Sequence, residues 1–324
     1  MDTQRLLKKI IALEHKNYKK DKGQFLSYKG EESESLKYLK ENIIKMLNET
    51  RKIGFLMPTF YDMSSSLRRN LIFDILYLQD REAFLKKLRE SAYYGYLAIC
   101  LNSKIHRFEL MESIGEILTA TQLCGWWNKA DKICDEMIIA IGGTYKAGTD
   151  SKFIGNGDSY KYSVWFLLDL YCLANNKSYD KEKANLPDDY TPYDEVLKHW
   201  DTKDLKKVDQ LVYILCEIHI IRAEYLSNYK QLSQEFSENW DALFPSEILC
   251  WLALREKQGL ENPSEYSHEF MKEPLAKECL NLQTPLSYPI IPNCKELFDL
   301  YNKEYPEENA MSFYEEYKKD LENE

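Results

Sequence analysis

A chain of 324 residues that is 44% hydrophobic and 13% aromatic is too apolar for a disordered protein and long enough for one large or two moderate domains. Its net charge of −10 is unevenly spread: residues 1–110 carry seven more Lys and Arg than Asp and Glu, and residues 111–324 carry seventeen fewer. The acidic part attracts basic partners and repels nucleic acid, which suggests a basic helical region over 1–104 followed by an acidic helical region over 105–324, or one continuous domain.

The first predicted helix lies near residues 2–20. Lys8, Lys9, Lys16, Lys19 and Lys20 alternate there with Leu6, Leu7, Ile10 and Leu13, the pattern of a solvated face over a buried one. With Lys22, Tyr18 and Tyr28 the same lysines could track a nucleic-acid backbone, but the net charge opposes that reading. The apolar stretch Ile10 to Leu13 stops at Glu14, too short for the core of a secretory signal. Further helices are expected near 33–52, 62–78 and 80–102. After Pro58 no proline occurs until Pro187, and such a span is most easily filled with successive helices, because proline disrupts a helix interior by about 3 kcal/mol.

Near Arg107, Phe108, Met111, Ile114 and Leu118 recur at helical steps with Glu109, Glu112 and Glu116 between them. Cys124-Gly-Trp-Trp-Asn-Lys-Ala130 resembles the opening of a tetratricopeptide-like hairpin helix, but no further copies align at a 34-residue period, which argues for irregular hairpins. A helix over 125–141 is followed by Gly142 to Gly157, which holds five of the twelve glycines and reads as a loop, either mobile or a short hairpin. No Gly-Lys-Ser/Thr follows, so it is not a phosphate loop. Helices are then predicted near 158–176, 203–229, 231–243 and 245–258, the last started by Pro245 and stopped by Gly259. In the second of these, Val208, Leu211, Val212 and Leu215 mark the dry side and Ile214 and Ile221 widen it. The proline-rich path from Pro274 to Pro292 should run in extended form before helices near 294–304 and 309–322.

These readings converge on an all-α fold, an irregular array of antiparallel helical hairpins with about ten to thirteen helices and few or no strands. The apolar runs Val164–Leu168 and Leu211–Cys216 are interrupted by Asp169 and Glu217, well short of the roughly 18 residues a membrane span needs, so a soluble protein with no membrane partner is expected. No two of the eight cysteines are separated by only two residues, and most sit in apolar helical patterns, which suggests buried free thiols in a reducing cytoplasm.

Cys216 and His219 share one helix face, the sharpest enzymatic signal in the chain, although core packing explains them as well. Glu195 and His199, four apart, read as a surface ion pair rather than a metalloprotease pattern. No catalytic residue, metal site or cofactor is therefore expected. The acidic residues Asp188, Asp189, Glu235, Glu238, Asp241, Glu261 and Glu265 form the candidate partner-binding set, with Trp240 as an aromatic neighbour.

The segment Asp241-Ala-Leu-Phe-Pro-Ser-Glu-Ile-Leu-Cys-Trp-Leu-Ala-Leu-Arg-Glu-Lys-Gln-Gly-Leu260 resembles the C-terminal helix of helical immunity proteins of bacterial polymorphic-toxin and type VI secretion systems, the PoNi-type family among them. The resemblance covers about a third of the chain, His268, Met271 and Pro274-Leu275 included. It implies an antitoxin that binds a cognate, basic effector protein and occludes its active site without doing chemistry. The alternative from the residues alone is a helical scaffold that binds peptide segments in a groove near Trp126 and Trp127. The sequence leaves the oligomeric state open.

Overall fold

The computed structural model describes residues 3–20, 34–101, 111–142, 144–146, 152–154, 162–184, 186–187, 189–223, 235–236 and 242–322. Along these residues run α1 (Thr3–Lys20), α2 (Glu34–Leu47), α3 (Leu56–Phe73), α4 (Arg81–Leu101), α5 (Met111–Leu123), α6 (Trp127–Gly142) and α7 (Tyr162–Asn175). They continue through α8 (Tyr193–Lys198), α9 (Leu205–Ala223), α10 (Ser246–Lys257), α11 (Pro274–Leu280), α12 (Cys294–Glu304) and α13 (Ala310–Glu322). Two three-residue strands, β1 (Thr144–Lys146) and β2 (Lys152–Ile154), pair within the glycine-rich segment, the hairpin alternative. The fold is all-α.

The chain divides into two compact units. One comprises Met1–Lys22, Leu110–Tyr145 and Lys152–Thr284; the other comprises Gly23–Glu109, Lys146–Ser151 and Pro285–Glu324. A change of unit near residue 110 lies close to the expected change of charge. The ends of the chain depart from that linear division: α1 belongs with the acidic middle, and α12 and α13 belong with the N-terminal helices. Charge composition cannot reveal such crossings, because it records which residues are adjacent in sequence and not which helices pack.

In the second unit α3 and α4 form the central hairpin. Pro58 falls in the first turn of α3, where its missing N–H has no intrahelical acceptor to lose, so the helix starts before the proline and not at residue 62. Ser64 and Ser91, both buried, allow the helices to approach closely, and each hydroxyl donates to the other's carbonyl, at 2.8 and 3.0 Å. At the end of the hairpin where the two helices connect, the carboxylate of Asp74 lies 2.8 Å from Lys87 Nζ. The second half of α4, Ser91 to Leu101, is buried on every side. Its remaining faces meet the C-terminal helices: Tyr96 donates to Glu316 and Tyr301 donates to the Leu101 carbonyl. The chain before α12 is fixed by Tyr317, whose hydroxyl donates to Pro289 O at 3.0 Å and accepts from Ile291 N at 2.7 Å.

The first unit is centred on α5, α7 and α10, whose packed faces include Ile117, Leu118, Trp165, Leu168, Ile248 and Trp251. Gly115 on α5 closely faces Val164 on α7. Helix α6 folds back on α5 through a turn at Gly125, whose φ of 72° lies in the left-handed region that glycine adopts at no steric penalty. The first helix behaves as its pattern predicts, with Leu6, Leu7 and Ile10 buried and Lys8, Lys9 and Lys16 exposed. It is tied down by Thr3, which donates to Glu217 on α9, and His268 Nε2 meets the same carboxylate oxygen at 3.1 Å. Helix α9 is narrower in its apolar face than its sequence suggests: Val208, Leu211, Val212 and Leu215 are buried, whereas Ile214 is exposed. Helix α11 starts at Pro274, a position expected to be extended; proline at the first helical residue explains the difference. The helix expected over 231–243 lies almost wholly outside the described residues.

A Cβ added to Gly115 would stand 3.0 Å and 3.2 Å from the two methyls of Val164. Valine is stiff at χ1, so this contact is relieved only by moving α7. We predict that Gly115→Ala destabilises the protein by about 1–3 kcal/mol in urea unfolding, overriding the helix-propensity gain of about 1 kcal/mol. In a Val164→Ala background the penalty should largely disappear. Stabilisation by Gly115→Ala alone would contradict the close approach.

Candidate functional site

The sequence-predicted residues fall into three groups. Asp188, Glu238 and Asp241 lie outside the described residues. Asp189, Glu261 and Glu265 are exposed. Glu235 is a correction: it is 1% exposed and cannot belong to a binding face. Its carboxylate pairs with Arg222 Nη1 at 2.8 Å and accepts the backbone N–H of Ser163 at the start of α7. Burial pushes the Glu235 carboxyl up, and Arg222 and the Ser163 N–H pull it back. The guanidinium of Arg222 also lies over the rings of Tyr162 and Tyr193, at 4.3 and 5.2 Å. This is an internal cross-brace between α7, α8 and α9, and a charge in a polar stretch of sequence gives no sign of it. Asp189 is held differently, accepting from Thr191 N at 3.0 Å. That backbone hydrogen bond keeps its carboxyl below the ordinary range, with Arg222 adding to the effect.

Glu261 and Glu265 come together with other carboxylates around the end of α10. The helix begins just after Phe244-Pro245 and ends at Gly259, whose φ of 73° reverses the chain so that Gly259 N reaches Glu256 O and Leu260 N reaches Arg255 O. Arg255, in the last turn, is fully buried. Its Nε donates to Asn262 Oδ1 at 3.0 Å, Nη1 donates to Trp200 O at 2.7 Å, and Nη2 donates to Thr202 O and Glu261 O, both at 2.8 Å. Trp251 Nε1 donates to the same Trp200 carbonyl at 3.1 Å, and Asn262 Nδ2 returns to Leu252 O at 2.9 Å. One planar guanidinium thus joins the turn before α9 to the turn after α10, using the fork of donors that lysine lacks. Burial pulls the Arg255 pKa below its ordinary value, against the pull of Tyr266 and Asp201.

On the solvent side of this clamp stand Asp201, Glu256, Glu261 and Glu265, all exposed. Asp209 is half-buried beside them and accepts from Ser267 N at 2.9 Å. Lys203 and Lys206 share the turn, leaving carboxylates in excess. Several other acidic side chains of the described residues pair with a neighbouring lysine: Asp180 with Lys183 at 3.1 Å, Asp194 with Lys198 at 3.3 Å, Glu195 with Lys207 at 3.1 Å and Glu269 with Lys272 at 2.7 Å. Among the described residues Asp201, Glu261 and Glu265 form no ion pair. Sequence reasoning missed Asp201, Glu256 and Arg255. The available signal was Trp251 and Arg255, four apart on a helix with too many apolar residues to leave Arg255 an obvious wet face.

The Cys216–His219 arrangement is not a nucleophile and base. Both are fully buried, and His219 Nδ1 faces Glu247 Oε1 at 2.8 Å with its ring stacked on Phe236 at 3.9 Å. Burial, with Glu247, Glu217 and Asp209 nearby, pushes the Cys216 thiol well up, so it stays protonated. Glu195 and His199 form the expected pair at 3.4 Å. Trp126 is buried, and Trp127 is half-buried with Lys257 Nζ 5.1 Å from its ring. Among the described residues no group of three His, Cys, Asp or Glu is placed to hold a metal ion, and no helix is long and apolar enough to cross a membrane. No protein-family model, curated protein or solved structure matches the chain.

Replacing Arg255 by Met keeps most of its volume but leaves the carbonyls of Thr202 and Glu261 without this donor and that of Trp200 with Trp251 alone. The variant is expected to lose about 2–4 kcal/mol of stability in denaturant titration. Arg255→Lys should recover little of it, because an ammonium cannot reach all four acceptors. Full recovery by lysine would show that charge alone, and not the fork geometry, matters here.

Proposed function

We propose that this protein is a cytoplasmic immunity protein that neutralises a basic toxin by covering its active surface, without catalysing a reaction. The observation that carries the reading is the exposed carboxylates Asp201, Glu256, Glu261 and Glu265, of which Asp201 and Glu261 stand on the two turns that Arg255 joins. A surface of this kind suits recognition of a cationic macromolecule for two physical reasons. Exposed carboxylates that form no ion pair project a negative potential that accelerates encounter. Turns already held in place lose little further conformational freedom when a partner binds.

A toxin that acts on nucleic acid must itself present a basic surface to a polyanion, and an acidic rim competes for that surface. The resemblance of Asp241–Leu260 to the helix of immunity proteins falls on the segment that carries Arg255 and Glu256 and leads into Glu261. Within the acidic region this reading favours the turns around Arg255 as the contact face, because exposed carboxylates that form no ion pair stand there.

The test is co-expression with the product of the adjacent reading frame. The wild-type chain should suppress its toxicity and bind it, with association slowing as salt increases. The double variant Glu261→Lys, Glu265→Lys should retain its fold by circular dichroism and associate about tenfold or more slowly at low salt. An unchanged association rate for the double variant would exclude this face, and a neighbouring product that is neither toxic nor bound would remove the immunity reading itself.

A further inference from the structure

All eight cysteines are buried and unbridged, but two of them meet across a helix interface. Cys134 on α6 and Cys172 on α7 place their sulfurs 4.0 Å apart. A disulfide requires about 2.0 Å, so closure asks for an approach of about 2 Å, within reach of small side-chain rotations between helices already in contact. The pair lies just below the surface. Cys172 is 4% exposed, and its neighbour Leu173 is 50% exposed.

Two lysines gather at this place. Lys177 N donates to the Cys172 carbonyl at 2.9 Å, ending α7, and Lys177 Nζ reaches across to Asp131 on α6 at 3.0 Å and to Asp135 beside Cys134. Lys181 pairs with Asp169, one turn before Cys172, at 2.9 Å. The hydrogen bond from Cys134 draws the Cys172 thiol below its ordinary value; burial and Asp169 oppose this, and Lys177 and Lys181 assist it. The same hydrogen bond pushes the Cys134 thiol up, so the two sulfurs are unequal, Cys172 being the more readily ionised and Cys134 the one that holds its proton more firmly. Cys216, by contrast, is far from ionising.

We propose that Cys134 and Cys172 are a redox-modification site, at which a hydroperoxide oxidises Cys172 and Cys134 closes an internal disulfide that ties α6 to α7. In the first step the Cys172 thiolate attacks the O–O bond. One oxygen becomes the sulfenic acid, and the other leaves with a proton as alcohol, or as water when the oxidant is hydrogen peroxide. In the second step the Cys134 sulfur attacks that of Cys172; the S–S bond forms, the S–O bond breaks, and hydroxide leaves with the Cys134 proton as water. Two thiols together lose two electrons and two protons, and the peroxide takes up both. A dithiol reverses the change by exchange. This site is independent of the acidic rim.

The full chain is treated with hydrogen peroxide under native conditions, quenched, unfolded in an alkylating reagent and mapped by peptide mass analysis. The peptides containing Cys134 and Cys172 should leave the alkylated pool and reappear as one linked pair, lighter by two hydrogens and restored by dithiothreitol. Cys172 should react roughly tenfold faster than Cys216. Cys134→Ser should stop the sequence at a sulfenic acid on Cys172 that dimedone captures; should that variant misfold, the wild-type map decides alone. Oxidation spread evenly over the eight cysteines, or no linked pair at peroxide doses that oxidise free glutathione, would overturn the proposal.

Discussion

The buried guanidinium of Arg255 is the interaction on which the candidate site depends. Two turns distant in sequence, at Trp200–Thr202 and Glu261–Asn262, are joined by the donors of this one side chain, with Trp251 adding a further bond to Trp200. Burying a charge without an anionic partner is costly, and here the cost is offset by short hydrogen bonds to acceptors that the two turns would otherwise leave unmet. The clamp acts on both sides of the protein surface. Beneath it α10 is locked at its C-terminal end, and above it carboxylates are displayed without lysine partners. Arginine is the residue for this position because its five donors lie in one plane and diverge.

Charge is used inside this protein as much as outside it. Glu235 with Arg222, Glu247 with His219, and Asp74 with Lys87 all connect one segment to another from buried or nearly buried positions. Such pairs add little net stability over apolar replacements, yet they resist any packing that would leave one member alone. A buried Glu–Arg or Asp–Lys pair withdraws equal positive and negative charge, so the net charge of −10 is carried by the rest of the molecule.

Much of the helical fold was legible in the sequence, because periodic apolar residues and the positions of proline are local signals. Met111, Ile114 and Leu118 are buried as their spacing implies, and Gly259 stops α10 where a left-handed residue is required. Short helices were less legible: α8 has six residues, too few for a period to show, and α11 opens on a proline that reads as a break. The site was legible in part. Glu261 and Glu265 are exposed on the rim, but Glu235 is internal, since a carboxylate in a polar stretch looks the same whether it meets water or an arginine. Arg255 escaped notice for the related reason that its acceptors are backbone carbonyls, which every sequence has and none advertises.

The account holds that the turns around Arg255 are the surface a basic partner recognises. The most direct measurement is amide hydrogen exchange on the full chain, alone and with the product of the adjacent reading frame, the proposed basic partner. New protection is predicted in peptides covering 200–204 and 256–265. Protection confined to other segments, with these two unchanged by the partner, would contradict it.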